Sequence, residues 1–229
     1  MRVELRDVVK RFERRAVLQG VTANLADGER VALVGPNGSG KSTLLRAIMG
    51  LLRCEGTIRL DGACPFTHRD RTARDLAYVP QAPPQLGASV ADVVTAVTSL
   101  RSVSERTVSE LARQFDLELD KVGGKPFRAL SGGMKQQLLL ALAFASKARL
   151  CIFDEPTASL DTASRERFAS LLGALDPGAT VIVCSHRIDE VRPFVTRVIE
   201  LGDGCVVRDV AIGQYGVAAP AGTHAEVHA

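Results

Sequence analysis

Gly35, Pro36, Asn37, Gly38, Ser39, Gly40, Lys41 and Ser42 follow the spacing GxxxxGK with Ser at the last place, between an apolar run at 30–34 and a segment of helical periodicity at 41–52. This is the feature that most limits the fold, because a strand must deliver the glycines and a helix must receive them. Glycines let the backbone wrap closely round an anion, successive amide N–H groups point inward, and the helix end adds partial positive charge. The pattern therefore reads as a polyphosphate cradle, with Lys41 reaching the outer phosphates and the Ser42 hydroxyl contributing to Mg2+, a cation that takes hard oxygen ligands.

Composition narrows the class further. A chain of 229 residues with 46% hydrophobic and 24% charged side chains can bury a core, which excludes collagen-like, disordered and disulfide-scaffold chains. A bilayer-spanning helix needs about 20 apolar residues in a row, and the longest uninterrupted apolar run, 138–145, has eight. The chain is thus expected not to cross a membrane by itself. Its 29 basic and 26 acidic residues are spread along the whole length, so the formal charge of +3 gives no argument for nucleic acid. Cys54, Cys64, Cys151, Cys184 and Cys205 are odd in number and widely spaced, without zinc-like intervals, and read as reduced, mostly buried thiols. The first residues alternate charged and apolar side chains instead of forming a signal peptide, which points to the cytoplasm.

Periodicity predicts strands at 3–9, 17–25, 30–34, 57–60 and 76–79, the last ending at Pro80 and Gln81. The polar stretch HRDRTARD before it reads as a solvated loop in preference to a phosphate patch, since its charges alternate in sign. Residues 89–119 switch to helical spacing, which suggests an inserted helical subdomain, and a further helix runs from Ser131, Gly132 and Gly133 to about Ser146. Apolar bursts at 150–153 and 180–184 read as fully buried parallel strands, with a helix at about 162–175 between them. A terminal hairpin is expected at 197–201 and 205–210, followed by a flexible tail from Gly213 to Ala229.

The second chemical motif is Asp154 and Glu155 at the end of the 150–153 burst. Alone, two acids after a strand could be a helix N-cap. Next to a phosphate cradle, Asp154 suits the Mg2+ ion, and Glu155 could orient or deprotonate an attacking water. With Leu130, Ser131, Gly132, Gly133, Met134, Lys135 and Gln136, which are similar to an LSGGQ signature, the chain resembles the nucleotide-binding subunit of an ATP-binding cassette (ABC) ATPase over roughly residues 3–210. Gln81 matches that family's Q-loop glutamine, Ser159, Leu160 and Asp161 its D-loop, His186 its switch histidine, and Phe12 the aromatic that stacks on adenine.

The resemblance implies an α/β fold: a P-loop NTPase core, a mixed, mainly parallel sheet with flanking helices, carrying an N-terminal antiparallel β-subdomain. One domain at 1–212 would hold the helical subdomain at about 83–147. It implies ATP and Mg2+ as cofactors, with Phe12, Gly35, Pro36, Asn37, Gly38, Ser39, Gly40, Lys41, Ser42, Thr43, Ser131, Gly132, Gly133 and Asp161 on the nucleotide. Ser42, Gln81 and Asp154 would serve the metal, and Glu155 (general base), His186 and Gln81 catalysis. The first loop already wraps the phosphates from one side, so the second anion site at Ser131–Gly133 must come from another copy. A head-to-tail dimer, most simply a homodimer, would sandwich two ATP molecules, hydrolyse them and open.

Two functions compete. The first is the ATPase subunit of a transporter, peripheral on the cytoplasmic face of the membrane through a separate membrane-spanning chain. The second is a soluble ATPase of an assembly machine such as iron–sulfur cluster assembly. A chromosome-organising relative would need a long coiled coil between Lys41 and Asp154, and that span shows no sustained heptads. Met134 stands where the signature usually has glutamine, which leans the reading toward efflux or metalloenzyme and cytochrome maturation.

Overall fold

A computed structural model of the chain describes residues 1–13, 15–186 and 188–216. The chain opens with β1 (Val3–Phe12) and β2 (Arg15–Leu25), continues through β3 (Arg30–Val34) into α1 (Lys41–Ile48), and returns as β4 (Glu55–Leu60). Next come α2 (Arg69–Ala73), β5 (Leu76–Val79) and the helices α3 (Val90–Arg101), α4 (Glu105–Gln114), α5 (Leu119–Val122) and α6 (Gly132–Ala145). β6 (Leu150–Asp154), α7 (Thr162–Gly173), β7 (Thr180–Cys184), α8 (Ile188–Val191), β8 (Arg197–Gly202) and β9 (Cys205–Ala211) complete it.

Two sheets result. β2, β1 and β4 form an antiparallel sheet in that order, and six strands form the second in the order β5-β6-β7-β3-β8-β9. Pairing from β5 to β8 is parallel, and only β9 runs antiparallel, at the edge. This is the mixed, mainly parallel core that the resemblance implies. All five residues of β6 and of β7 are buried, as expected of parallel strands covered on both faces.

The pleat sorts side chains between two cores. Ile182 and Cys184 face a cluster with Leu5, Leu18, Val21 and Leu60 of the small sheet and Leu45 and Ile48 of α1. Val181 and Val183 face another with Phe153, Phe168 and Leu172. A third core lies among the inserted helices, around Val90, Val108, Phe127 and Leu138. Helix α6 serves two of these, giving Leu140 and Ala143 to the second core and Leu138, Ala141, Leu142 and Ala145 to the third. Its continuous apolar run is therefore the signature of a helix buried all round, not of a membrane segment. Among the described residues no helix is long and apolar enough to cross a membrane.

Some local expectations shift. The HRDRTARD stretch is not all loop: Arg69–Ala73 is helical, with Thr72 buried and its hydroxyl donating to the His68 carbonyl at 3.1 Å. α1 stops at Ile48, four residues early, because the chain swings away at Gly50 (φ +71°), where a Cβ would lie 2.2 Å from the Pro65 carbonyl oxygen. Of the five free thiols only Cys151 and Cys184 are buried. Ile212–Gln214 forms a 3-10 turn, and Arg192 donates to the carbonyls of Ile212 and Tyr215 at 3.2 and 3.1 Å, holding the chain as far as Tyr215. The rest of the expected tail, 217–229, lies outside the described residues.

Candidate functional site

In the large sheet β7 lies between β3 and β6, and its last residue, Cys184, is paired with both Leu33 and Asp154. One register thus brings the carboxyl ends of three strands level. Each strand gives way to polar chain: the glycine loop after β3, Glu155 after β6 and His186 after β7. Carboxyl ends of parallel strands are where open α/β sheets bind ligands.

The loop is shaped by close approaches. Gly35 has φ +139°, and a Cβ there would meet the Leu201 carbonyl oxygen at 2.1 Å. Gly40, at φ +102°, would meet Val17 and Leu18 at 2.9 Å. Lys41 folds its ammonium back over the loop, donating to the carbonyls of Gly35 at 2.8 Å and Pro36 at 3.0 Å. Ser39 Oγ is buried and has no hydrogen-bond partner among the described residues.

Asn37, Gly38, Gly40, Lys41, Ser42 and Thr43 line one side of a cavity of about 610 Å³, with Asp154, Glu155 and Gln81 across it. Gly35, Pro36 and Ser39 belong to the same loop but are not part of this lining. Burial, and then the neighbouring Glu155 charge, push the Asp154 carboxyl above its ordinary value, opposed by hydrogen bonds from Ser42 and Tyr78 and by the Lys41 charge. Glu155 sits at φ +48°, a left-handed conformation that costs a residue with a side chain on the order of 1–3 kcal/mol. Its own N–H donates to the Cys184 carbonyl at 3.0 Å, and its Oε2 lies 2.7 Å from His186 Nδ1. The Glu155 side chain is 11% exposed and that of His186 64% exposed, so the imidazole covers a nearly buried carboxylate from the solvent side.

Five predicted residues lie elsewhere. Ser131 caps α6, its Oγ accepting the Met134 N–H at 3.2 Å, and Gly132 and Gly133 form the first turn, but none of the three lines the cavity. Asp161 caps α7, accepting the Ser164 N–H at 2.7 Å, and these Ser164 hydrogen bonds hold its carboxyl below the ordinary value. Phe12 also stays outside the lining: it is 45% exposed at the tip of the β1–β2 hairpin, with Lys10 Nζ 5.1 Å from its ring. Its strand partner Arg15 does line the cavity.

Sequence reasoning missed Arg15, Gln19, Asp203 and Gly204, which close one side of the cavity. Gly204 N–H donates to the Ser39 carbonyl at 3.2 Å, and the Gln19 amide donates to the Asp203 carbonyl at 2.6 Å. No local pattern could reveal contacts spanning so much sequence; the only hint was the glycine pair flanking Asp203. Tyr78 was missed too. Its hydroxyl donates to Asp154 Oδ2 at 3.5 Å, and burial with the Asp154 charge pushes its pKa up to about 12, so it stays a donor.

The chain is similar to known proteins both in sequence and in fold. Residues 18–158 match the family model described as ABC transporter. The chain is 30% identical over 195 residues to the lantibiotic transport ATP-binding protein SrtF of Streptococcus pyogenes, covering 82% of each chain. It is 34% identical over 217 residues to the cobalt import ATP-binding protein CbiO of Syntrophus aciditrophicus (strain SB), covering 90% of this chain and 77% of the relative. Among solved structures, an ATP-binding subunit of an ABC transporter superposes with a TM-score of 0.84 at 26% identity, over 92% of this chain and 90% of that one. A post-hydrolysis dimer of the ATP-binding cassette MJ0796 bound to ADP and Pi gives 0.78 at 28% identity, over 92% and 98%.

Because burial disfavours the Asp154 charge in the fold, its ionised form costs stability at neutral pH. Asp154→Asn should therefore raise the melting temperature of the nucleotide-free protein, measured by calorimetry at pH 7.5 without Mg2+. A lower melting temperature would mean that the Tyr78 and Ser42 hydrogen bonds outweigh burial.

Proposed function

This chain belongs to the ABC transporter family, and on that premise we propose that it is the ATP-hydrolysing half of a nucleotide-bridged dimer that drives a separate membrane-spanning partner. The observation that carries the proposal is the meeting of the glycine loop, Asp154, Glu155, Gln81 and His186 at one end of one sheet.

The residues present fit ATP and Mg2+. The unpartnered Ser39 Oγ lies inside the loop that would wrap the phosphates, and Ser42 and Asp154 offer the metal adjacent hard oxygens. No cluster of three or more His, Cys, Asp or Glu suited to a metal occurs among the described residues, so phosphate oxygens, water and Gln81 would complete the shell. Bound there, Mg2+ would neutralise charge on the phosphates. Lys41 would exchange its two carbonyl acceptors for phosphate oxygens. Glu155 takes the proton of an attacking water as the new oxygen–phosphorus bond forms and the bond to the bridging oxygen of ADP breaks. Its Oε2 accepts from His186 Nδ1, and a donation from Nε2 of the same ring to the γ-phosphate requires the imidazolium form, in which both nitrogens carry protons.

Ser131, Gly132 and Gly133 serve the other subunit's nucleotide. They stand at the exposed start of a 14-residue helix, and the space around the Gly132 Cβ position is open, which suits an anion presented from outside. Asp161 and Phe12 belong to the same nucleotide-bound state, the former at the dimer contact and the latter against adenine. The relatives named above include an import protein. Met134, whose side chain packs on the helical core instead of offering a polar group at the α6 start, carries the lean to efflux or maturation-type cargo. The protein would sit on the cytoplasmic face of the membrane through its partner.

The deciding experiment is purification of the native complex in detergent. A polytopic membrane protein should accompany the chain, and a soluble scaffold in its place would overturn the proposal. Glu155→Gln should bind ATP, lose turnover by roughly a hundredfold, and accumulate as dimer in size-exclusion chromatography with ATP; normal turnover would remove Glu155 from the role of base. Gly132→Asp has room for its side chain and should fold and bind one nucleotide per monomer. It should fail to dimerise with ATP, which light scattering would register.

A further inference from the structure

Gln136 is a polar side chain where an apolar one would be expected. It lies on α6, is 1% exposed, and its Oε1 has no hydrogen-bond partner among the described residues. Its Nε2 donates to the Pro156 carbonyl at 3.2 Å. That bond fixes which way the amide faces, since a carbonyl acceptor requires the nitrogen on its side. A bare buried amide oxygen is costly, on the order of 1–3 kcal/mol, so packing alone gives no reason for glutamine here.

The bond falls one residue after Glu155, whose φ of +48° must be held by its surroundings. Four contacts bracket it. The Glu155 N–H is tied to Cys184, its carbonyl to the Ala158 N–H at 3.2 Å, its carboxylate to His186, and the next residue's carbonyl to Gln136. Only the last comes from another part of the molecule than the sheet end. Gln136 stands four residues after Gly132 and so lies on the same face of the helix, one turn along.

The neighbouring row makes parallel contacts with the same segment. A Cβ on Gly133 would lie 3.3 Å from the Ser159 carbonyl oxygen, and Gln137 Nε2 donates to Ser164 Oγ at 3.2 Å. The start of α6 is thus pressed against 156–164 along two rows, and Gln136 reaches nearest to the carboxylate.

We infer that Gln136 is a positioning residue, which fixes the Glu155–Pro156 turn from the helix that carries Ser131, Gly132 and Gly133. The inference rests on the proposed roles of Glu155 and of the α6 start. It adds that Gln136 links the two half-sites of one subunit at the residue next to the carboxylate, so a nucleotide seated on the α6 start bears on the aim of that subunit's own general base.

The test is Gln136→Met, close in volume, which removes the donor and the bare acceptor together. Initial rates of ATP hydrolysis, equilibrium binding of a non-hydrolysable ATP analogue and thermal melting are measured on the full chain beside wild type and Glu155→Gln. We expect kcat to fall about tenfold or more, since small displacements of a reacting group carry large rate losses. KM and analogue affinity should stay within about twofold, and the melting temperature within about 3 °C, the shift expected of roughly 1 kcal/mol in a chain of this size. Gln136→Leu, which also lacks the donor and adds no charge to a buried site, should show the same split. Wild-type kcat in either variant, or a loss of rate that tracks lost affinity or a lowered melting temperature, would overturn the inference. Normal turnover by Glu155→Gln would instead remove the reading beneath it.

Discussion

The parallel pairing of β6, β7 and β3 is the constraint on which the site depends. Strands in a sheet lie about 4.8 Å apart, so with β7 between them the ends of β3 and β6 are separated by roughly 10 Å, about the span of a phosphate chain with its metal and water. Cys184, opposite both Leu33 and Asp154, sets that separation without taking part in chemistry. A one-residue slip would exchange the two faces of β7, sending Val181 and Val183 into the core that Ile182 and Cys184 now fill. Hydrophobic burial on both faces therefore holds the catalytic geometry in register.

The cradle, the two carboxylates and the helix starting after Ser131 were legible in the sequence because each is a short-range pattern: glycines before a helix, acids ending an apolar strand, a Ser N-cap. The strands at 150–153 and 180–184 were legible for a related reason, since parallel strands buried on both faces leave continuous apolar runs. Tyr78, Gln19 and Asp203 were not, because their contacts join segments remote in sequence. Phe12, to which the resemblance assigns adenine, lies at a hairpin tip outside the cavity lining, with Lys10 against its ring. The helix at Arg69–Ala73 was missed because one buried residue, Thr72, gives too little periodicity to detect.

Helix α6 ties stability to function. Its apolar run is shared by two cores, so the end that begins with Ser131 cannot tilt without disturbing both. Phe144, Phe153 and Phe168 pack in tilted and edge-on pairs with ring centroids 5.4–6.0 Å apart and fasten α6 to β6 and α7 near Asp154 and Glu155. Movement of the inserted helices would thus reach the carboxylate end of the sheet through aromatic packing as well as through polar contacts.

The folded-back Lys41 has a consequence for selectivity. Two of its three N–H donors already hold carbonyls, so on the proposed reading an anion meets the third first and gains the other two only by displacing the loop's own acceptors. A chain of phosphates that places several oxygens around the ammonium would displace both. Under the proposed function, the loop would thereby favour a longer anion over a shorter one.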